Sequence, residues 1–135
     1  MSLQRLSYWV HRLHDDYTYV SDRDVHGVME YWTEESRKVL DSKPWAGDCD
    51  TWACTLATIL ATEPCFNLHD FGIAFVGVND PKGDHAILWY DAPTGERVWA
   101  DCNTDAVQMM TGRDFTAISY MRMDDPQTWL AFEDD

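Results

Sequence analysis

The sequence predicts an α+β domain in which helices come first and an antiparallel sheet follows. Apolar residues recur at helical spacing up to about residue 61, whereas short β-branched and aromatic runs separated by turn residues begin at residue 71. Because short connections join the later runs, antiparallel pairing is favoured over parallel pairing. The length of 135 residues, 45% of them apolar, predicts one domain over residues 1–135.

The first predicted helical region lies between about Asp24 and Leu40. Its apolar residues recur at spacings of about 3.6, which indicates one amphipathic helix or two short ones. Residues 43–47, which include Pro44 and Gly47, then end the pattern. The apolar positions of this region are Val25, Val28, Met29, Trp32, Val39 and Leu40.

A second helical stripe follows and ends before Pro64. One turn before its first apolar residue, Ala53, stands Cys49, so this cysteine is expected on the inward face at the start of the helix. Asp48 is positioned as the N-cap. The stripe consists of Ala53, Leu56, Ala57, Leu60 and Ala61.

The second half of the chain predicts strands over residues 71–78, 85–90, 97–101 and 115–123. A tight turn joins the middle two. Pro93 presets φ and Gly95 can adopt the left-handed conformation, which predicts a three-residue loop between these strands. The resulting register makes His85 and Asp101 diagonal neighbours and places Asn103 on the same side of the sheet. A register shift of two residues keeps them together.

The predicted elements bring together a thiol at a helix N-terminus, an imidazole and a carboxylate, which belong to Cys49, His85 and Asp101. A thiolate is the nucleophile in cysteine catalysis, and a helix N-terminus and a nearby imidazolium lower its pKa. The carboxylate of Asp101 is expected to orient His85. Asp48 and Asp50 act in the opposite direction, because negative charges beside the sulfur of Cys49 raise its pKa.

Charge and hydropathy exclude two classes of partner. The chain has 24 acidic residues against 10 lysines and arginines, a formal charge of −14, so we expect no nucleic-acid partner and no binding to anionic membranes. No apolar run reaches the length of about 18 residues that spans a bilayer, and no signal peptide is seen. Because disulfides are typical of exported proteins, the four cysteines are expected to be reduced thiols.

The combined pattern resembles the bacterial transglutaminase-like cysteine proteinases, within the transglutaminase-like and papain-like superfamily. The resemblance covers roughly residues 24–121. The segments that carry it are residues 47–50 (Gly-Asp-Cys-Asp), 84–88 (Asp-His-Ala-Ile-Leu), 99–101 (Trp-Ala-Asp) and, upstream, 29–33 (Met-Glu-Tyr-Trp-Thr).

This resemblance implies a papain-like fold and a cysteine hydrolase acting on a protein or peptide. Cys49 attacks an amide carbonyl, His85 transfers the proton and Asp101 orients His85, with a thioester acyl-enzyme as intermediate. Peptide or isopeptide hydrolysis is the implied outcome, and transamidation or deamidation of protein glutamine is an alternative. The Cys49 N–H is an implied oxyanion donor, with Trp32 and Asn103 as further candidates for oxyanion or substrate contact.

The sequence departs from the family pattern beside the triad. Thr51 stands where a further acid is usual, and Cys102 stands where an asparagine is usual. Acids flanking the cysteine bind calcium in some relatives, so Asp48 and Asp50 are candidate calcium ligands, whereas the chemistry itself requires no cofactor. Relatives are often exported, and without an export signal we expect a cytoplasmic or phage-encoded protein.

Two other interpretations stay open. A catalytically silent member of the fold that binds a protein partner is consistent with the acids crowding Cys49 and with the negative charge. A cell-wall peptidase of the NlpC/P60 type also uses Cys and His, but it typically continues with another polar residue, often His, where Asp101 and Asn103 stand here.

Overall fold

The computed structural model describes residues 2–20, 35–77, 85–103, 108–109 and 116–131. The helices are α1 (Ser2–His14), α2 (Ser36–Leu40) and α3 (Cys49–Ala61). The strands are β1 (Tyr17–Tyr19), β2 (Trp45–Gly47), β3 (Phe71–Gly77), β4 (His85–Asp91), β5 (Arg97–Ala100), β6 (Gln108–Met109), β7 (Thr116–Arg122) and β8 (Asp125–Ala131). Most of the helical region predicted between Asp24 and Leu40 lies outside the described residues, and α2 is its end.

Within the described residues, the main sheet has six strands in the order β6-β5-β4-β3-β7-β8, and every pair is antiparallel. A separate parallel ribbon joins β1 to β2. The predicted α+β class is therefore confirmed. The ribbon and the strands β6 and β8 were not predicted, because elements of two or three residues carry no measurable periodicity and β8 includes a proline.

Helix α3 packs on one face of the sheet, as the sequence predicts. Alternate residues of β4, namely Ala86, Leu88 and Tyr90, belong to the same buried cluster as the apolar residues of α3, while Ile87 and Trp89 belong to a second cluster on the other face. The predicted stripe is buried except for Ala61, which is exposed at the end of the helix.

Helix α1 was not predicted, although its apolar residues follow helical spacing. Leu6, Trp9, Val10 and Leu13 are all buried against the core. The indole of Trp9 donates a hydrogen bond to Glu63 at 2.7 Å, just beyond the end of α3, and Arg5 pairs with the same carboxylate. These contacts fix α1 against the helix that carries Cys49. No helix among the described residues is long and apolar enough to cross a membrane.

The hairpin between β4 and β5 has the predicted register. Leu88 pairs with Ala100, and Trp89 pairs with Trp99. The turn closes with a hydrogen bond of 2.8 Å from the N–H of Ala92 to the carbonyl of Glu96, and Gly95 has a φ of +94°. The turn chemistry read from the sequence therefore sets which residues of the two strands meet.

Candidate active site

Cys49 is the first residue of α3. The carboxylate of Asp48 accepts a hydrogen bond of 3.1 Å from the N–H of Thr51, so Asp48 is the N-cap that the sequence predicts. Gly47 is required just before it, because a Cβ there would lie 2.5 Å from the side chain of Thr51. The N–H of Cys49, at the start of α3, has no acceptor within the helix and is available to a developing negative charge.

The thiol of Cys49 lies between a main-chain donor and a carboxylate. The N–H of Ala86 hydrogen-bonds to the sulfur, and the thiol donates to Oδ1 of Asp50 at 3.7 Å. Burial raises the pKa of the thiol, and the charges of Asp50 and Asp48 raise it further, whereas the Ala86 N–H lowers it. Burial and the carboxylates raise the pKa of Cys49 by more than the main-chain donor lowers it, so the resting side chain is a protonated thiol.

His85 and Asp101 form the closest polar contact of the site. Nε2 of His85 lies 2.5 Å from Oδ2 of Asp101, with side-chain exposures of 15% and 6%. The other oxygen, Oδ1, accepts a hydrogen bond of 3.0 Å from the N–H of Asn103. The diagonal contact predicted from the hairpin register is thus present.

This contact assigns different roles to the two ring nitrogens of His85. A buried carboxylate only accepts, so the neutral imidazole carries its proton on Nε2, toward Asp101. Nδ1 is then the nitrogen with a free lone pair. The acid therefore fixes the tautomer in which the histidine can take a proton from a nucleophile.

The predicted site residues are brought together to different degrees. His85 contacts Asp101 directly, and Cys49 reaches Ala86, the residue that follows His85. The Asn103 side chain is exposed, and it is the Asn103 N–H that supports Asp101. Trp32 lies outside the described residues.

The candidate calcium ligands Asp48 and Asp50 are both buried, each 7% exposed. Asp48 uses Oδ1 to cap α3, and Asp50 uses Oδ1 to accept from the thiol. Within the ranges that the structure describes, no group of three or more His, Cys, Asp and Glu residues is arranged to hold a metal ion. Asp48 and Asp50 alone are fewer than the three ligands of such a group.

Sequence reasoning missed Tyr17, whose hydroxyl reaches the site from β1. It donates to the carbonyl of Gly47 at 2.8 Å and also hydrogen-bonds to the thiol of Cys102. All four cysteines are free thiols. The only local signal for Tyr17 is the alternation Tyr-Thr-Tyr, which is too short to indicate a strand or its partner.

Comparisons with known proteins bear on the fold. No protein-family model and no curated protein matches the chain. Among solved structures, LapG of Legionella pneumophila matches with a TM-score of 0.62 at 15% identity, over 93% of this chain and 71% of that chain. An EGTA-treated LapG structure matches with a TM-score of 0.66 at 15% identity, over 97% of this chain and 68% of the LapG chain. The chain therefore shares the fold of LapG, in agreement with the fold class that its sequence predicts.

Proposed function

We propose that this protein is a cysteine hydrolase that cleaves peptide or isopeptide amides with Cys49, His85 and Asp101. The observation that carries the proposal is the 2.5 Å contact between His85 and Asp101, formed next to the strand residue whose N–H meets the thiol of Cys49. The fold shared with LapG supports it. A thiol at a helix N-terminus with an oriented imidazole is the arrangement that amide cleavage through a thioester needs.

Acylation begins with transfer of the Cys49 proton to Nδ1 of His85. The sulfur then bonds to the carbonyl carbon of the substrate, and the oxyanion is stabilised by the N–H of Cys49 at the start of α3. The imidazolium, stabilised by Asp101, returns the proton to the leaving nitrogen. The carbon–nitrogen bond breaks, the amine departs and a thioester on Cys49 remains.

Deacylation repeats these roles with water. His85 takes a proton from the water, and the resulting oxygen attacks the thioester. The carbon–sulfur bond breaks, the carboxylic acid departs, and the imidazolium returns the proton to the sulfur to regenerate the thiol of Cys49. A primary amine in place of water gives transamidation. The choice between them depends on which acceptor reaches the thioester, and hydrolysis is the outcome proposed here because water is always present.

The raised pKa of Cys49 shapes this mechanism. The resting nucleophile is a protonated thiol, and its proton points to Asp50. Substrate binding is proposed to turn the thiol away from Asp50 and toward His85, so that its proton can pass to Nδ1 at the start of acylation.

The three side chains supply the nucleophile, the base and the orienting acid, so we propose that the reaction needs no resident cofactor. Calcium is proposed as a modulator at Asp48 and Asp50, because a divalent cation would offset the charges that raise the Cys49 pKa. Two carboxylates fall short of the oxygen sets of tight calcium sites, so the binding is expected to be weak.

Acylation by para-nitrophenyl acetate tests the proposal without knowledge of the natural substrate. Intact-protein and peptide mass spectrometry locate the acyl group. We expect acetyl-Cys49 in the native chain, none in Cys49→Ala, and acylation at least about 10²-fold slower in His85→Ala. Cys54→Ser, on the same helix, is the matched control and should behave like the native chain. Cleavage of a fluorogenic peptide-amide library by Cys49→Ala at the native rate would refute the assignment.

A catalytically silent module that binds a protein partner is the second candidate. The contact of the thiol with Asp50 and its raised pKa favour it, since both work against nucleophilic attack. The acylation experiment separates the two candidates. A silent module would be acetylated at the exposed Cys65 and not at Cys49.

A further inference from the structure

We propose that Tyr17 is a positioning residue that fixes the position of Cys49, the nucleophile, relative to Asp101, the orienting acid. This inference rests on the proposed function and deepens it. Strand β1 pairs in parallel with β2, and Tyr17 lies opposite Trp45. From there its hydroxyl donates to the carbonyl of Gly47 at 2.8 Å, two residues before Cys49.

The same hydroxyl reaches the other half of the site. It hydrogen-bonds to the thiol of Cys102, which is buried and directly follows Asp101. Asp101 in turn holds His85. A single phenol therefore joins the segment that leads into the nucleophile to the segment that carries the orienting acid, although they are far apart in the sequence.

The position of the hydroxyl is fixed by packing. The ring of Tyr17 lies 4.6 Å from that of Trp45, which is 3% exposed and donates a hydrogen bond of 3.0 Å to the carbonyl of Leu13. Burial also raises the pKa of Tyr17, so the phenol stays protonated and remains a donor. Tyr19, on the same strand, is 57% exposed and provides a natural comparison.

Removal of the Tyr17 hydroxyl is expected to loosen the site without unfolding the chain. The carbonyl of Gly47 keeps a second hydrogen bond of 3.0 Å from the N–H of Val20, so the ribbon remains paired. What is lost is the connection from Gly47 to Cys102. Small displacements of reacting groups are costly in catalysis, because the rate depends steeply on their relative position.

The test is the rate of Cys49 acylation by para-nitrophenyl acetate between about pH 6 and pH 9. We expect the maximal acylation rate to fall about tenfold in Tyr17→Phe. The concentration of para-nitrophenyl acetate that gives half of this rate should stay unchanged, because the variant alters the position of the reacting groups and not the contacts with the ester. Tyr19→Phe, which removes a hydroxyl from the same strand, should stay within about twofold of the native rate.

Cys102→Ala provides a second variant that removes the same bridge from its other end. We expect it to slow acylation as Tyr17→Phe does, and the double variant to be about as slow as either single one, because both remove one interaction. Cys102→Ser, which retains a hydrogen-bonding group, should recover much of the rate. Thermal unfolding of each variant checks that the fold is retained.

The outcomes separate this inference from the function on which it rests. If the native chain is not acylated at Cys49, or His85→Ala leaves the rate unchanged, the proposed function fails. If Cys49 acylation depends on His85 but Tyr17→Phe and Cys102→Ala both react at the native rate, only the positioning role is wrong. If the losses of acylation rate in Tyr17→Phe and Cys102→Ala add up in the double variant, the two residues do not act through one hydrogen bond, and the positioning role is likewise wrong.

Discussion

The backbone N–H of Ala86 hydrogen-bonds to the thiol of Cys49, so the second residue of β4 lies against the first residue of α3. The main chain of the strand, and not a side chain, therefore brings Cys49, the proposed nucleophile, to the strand that carries His85. A main-chain donor is present whatever side chain occupies position 86. The relative position of thiol and imidazole thus depends on how α3 packs on the sheet.

Neutralising Asp50 should make Cys49 more reactive at neutral pH. Thiolate forms as the pH rises through the pKa, so a raised pKa moves the alkylation profile of Cys49 to higher pH, and removing a nearby negative charge moves it back. We expect iodoacetamide to alkylate Cys49 about threefold to tenfold faster in Asp50→Asn at pH 7. Asp125→Asn, which alters an exposed acid of β8, is the control. Equal rates in native chain and Asp50→Asn would contradict the assigned cause.

Two substitutions of Asp48 separate its charge from its role as N-cap. Asp48→Asn keeps an acceptor for the N–H of Thr51, whereas Asp48→Ala loses it and should lower the free energy of unfolding by about 1 kcal/mol. Both variants remove the charge, so both should lower the Cys49 pKa similarly. Urea denaturation and pH-dependent alkylation measure the two effects. Equal stability of the two variants would mean that the cap hydrogen bond contributes little.

Asp101→Asn tests the orienting acid. The amide keeps Oδ1 as acceptor for the N–H of Asn103, so the loop should stay folded, but an uncharged group cannot stabilise an imidazolium at His85. We expect Cys49 acylation by para-nitrophenyl acetate to slow by about 10²-fold, with little change in thermal stability. Asp91→Asn, at the other end of β4, should leave acylation unchanged. A native rate in Asp101→Asn would remove the acid from the mechanism.

The backbone of β7 approaches Gly72 too closely for any side chain. A Cβ at this position would lie 1.9 Å from the carbonyl oxygen of Met121. Gly72→Ala should therefore separate β3 from β7 and lower the free energy of unfolding by about 3 kcal/mol. Gly95→Ala meets no atom but has an unfavourable positive φ, and should cost about 1 kcal/mol. Urea denaturation of both variants measures the decrease in the free energy of unfolding. A smaller decrease for Gly72→Ala than for Gly95→Ala would contradict the prediction.

Calcium should increase the reactivity of Cys49 if Asp48 and Asp50 hold it. A bound cation offsets their charges, so the thiol pKa falls and alkylation at pH 7 accelerates, and EGTA should reverse the effect. Magnesium at the same concentration controls for ionic strength. The acceleration should be absent in Asp50→Asn. A native chain that reacts equally with calcium and with EGTA would rule out this modulation.

The parts of the site that could be predicted from sequence are those governed by local chemistry. Pro93 and Gly95 determine the turn, the turn determines the register, and the register brings His85 to Asp101. Asp48 similarly marks the start of α3. In each case the decisive residues lie within a few positions of one another, so propensity and periodicity are sufficient.

The parts that could not be predicted depend on contacts between distant segments. Tyr17 acquires its role only because β1 pairs with β2, a ribbon of three residues per strand. The balance of charges around Cys49 is also three-dimensional, since burial is the largest cause of its raised pKa and sequence alone does not give the depth of a side chain.

The position of Cys65 has a practical consequence for spectroscopy. It is an exposed thiol just past the end of α3, whereas Cys49 stands at the beginning of that helix. A helix of 13 residues is about 20 Å long at 1.5 Å per residue. A donor fluorophore attached through Cys65 and an acceptor carried by an acyl group on Cys49 would therefore lie within range of energy transfer, and the transfer signal would follow acylation and deacylation in the proposed reaction.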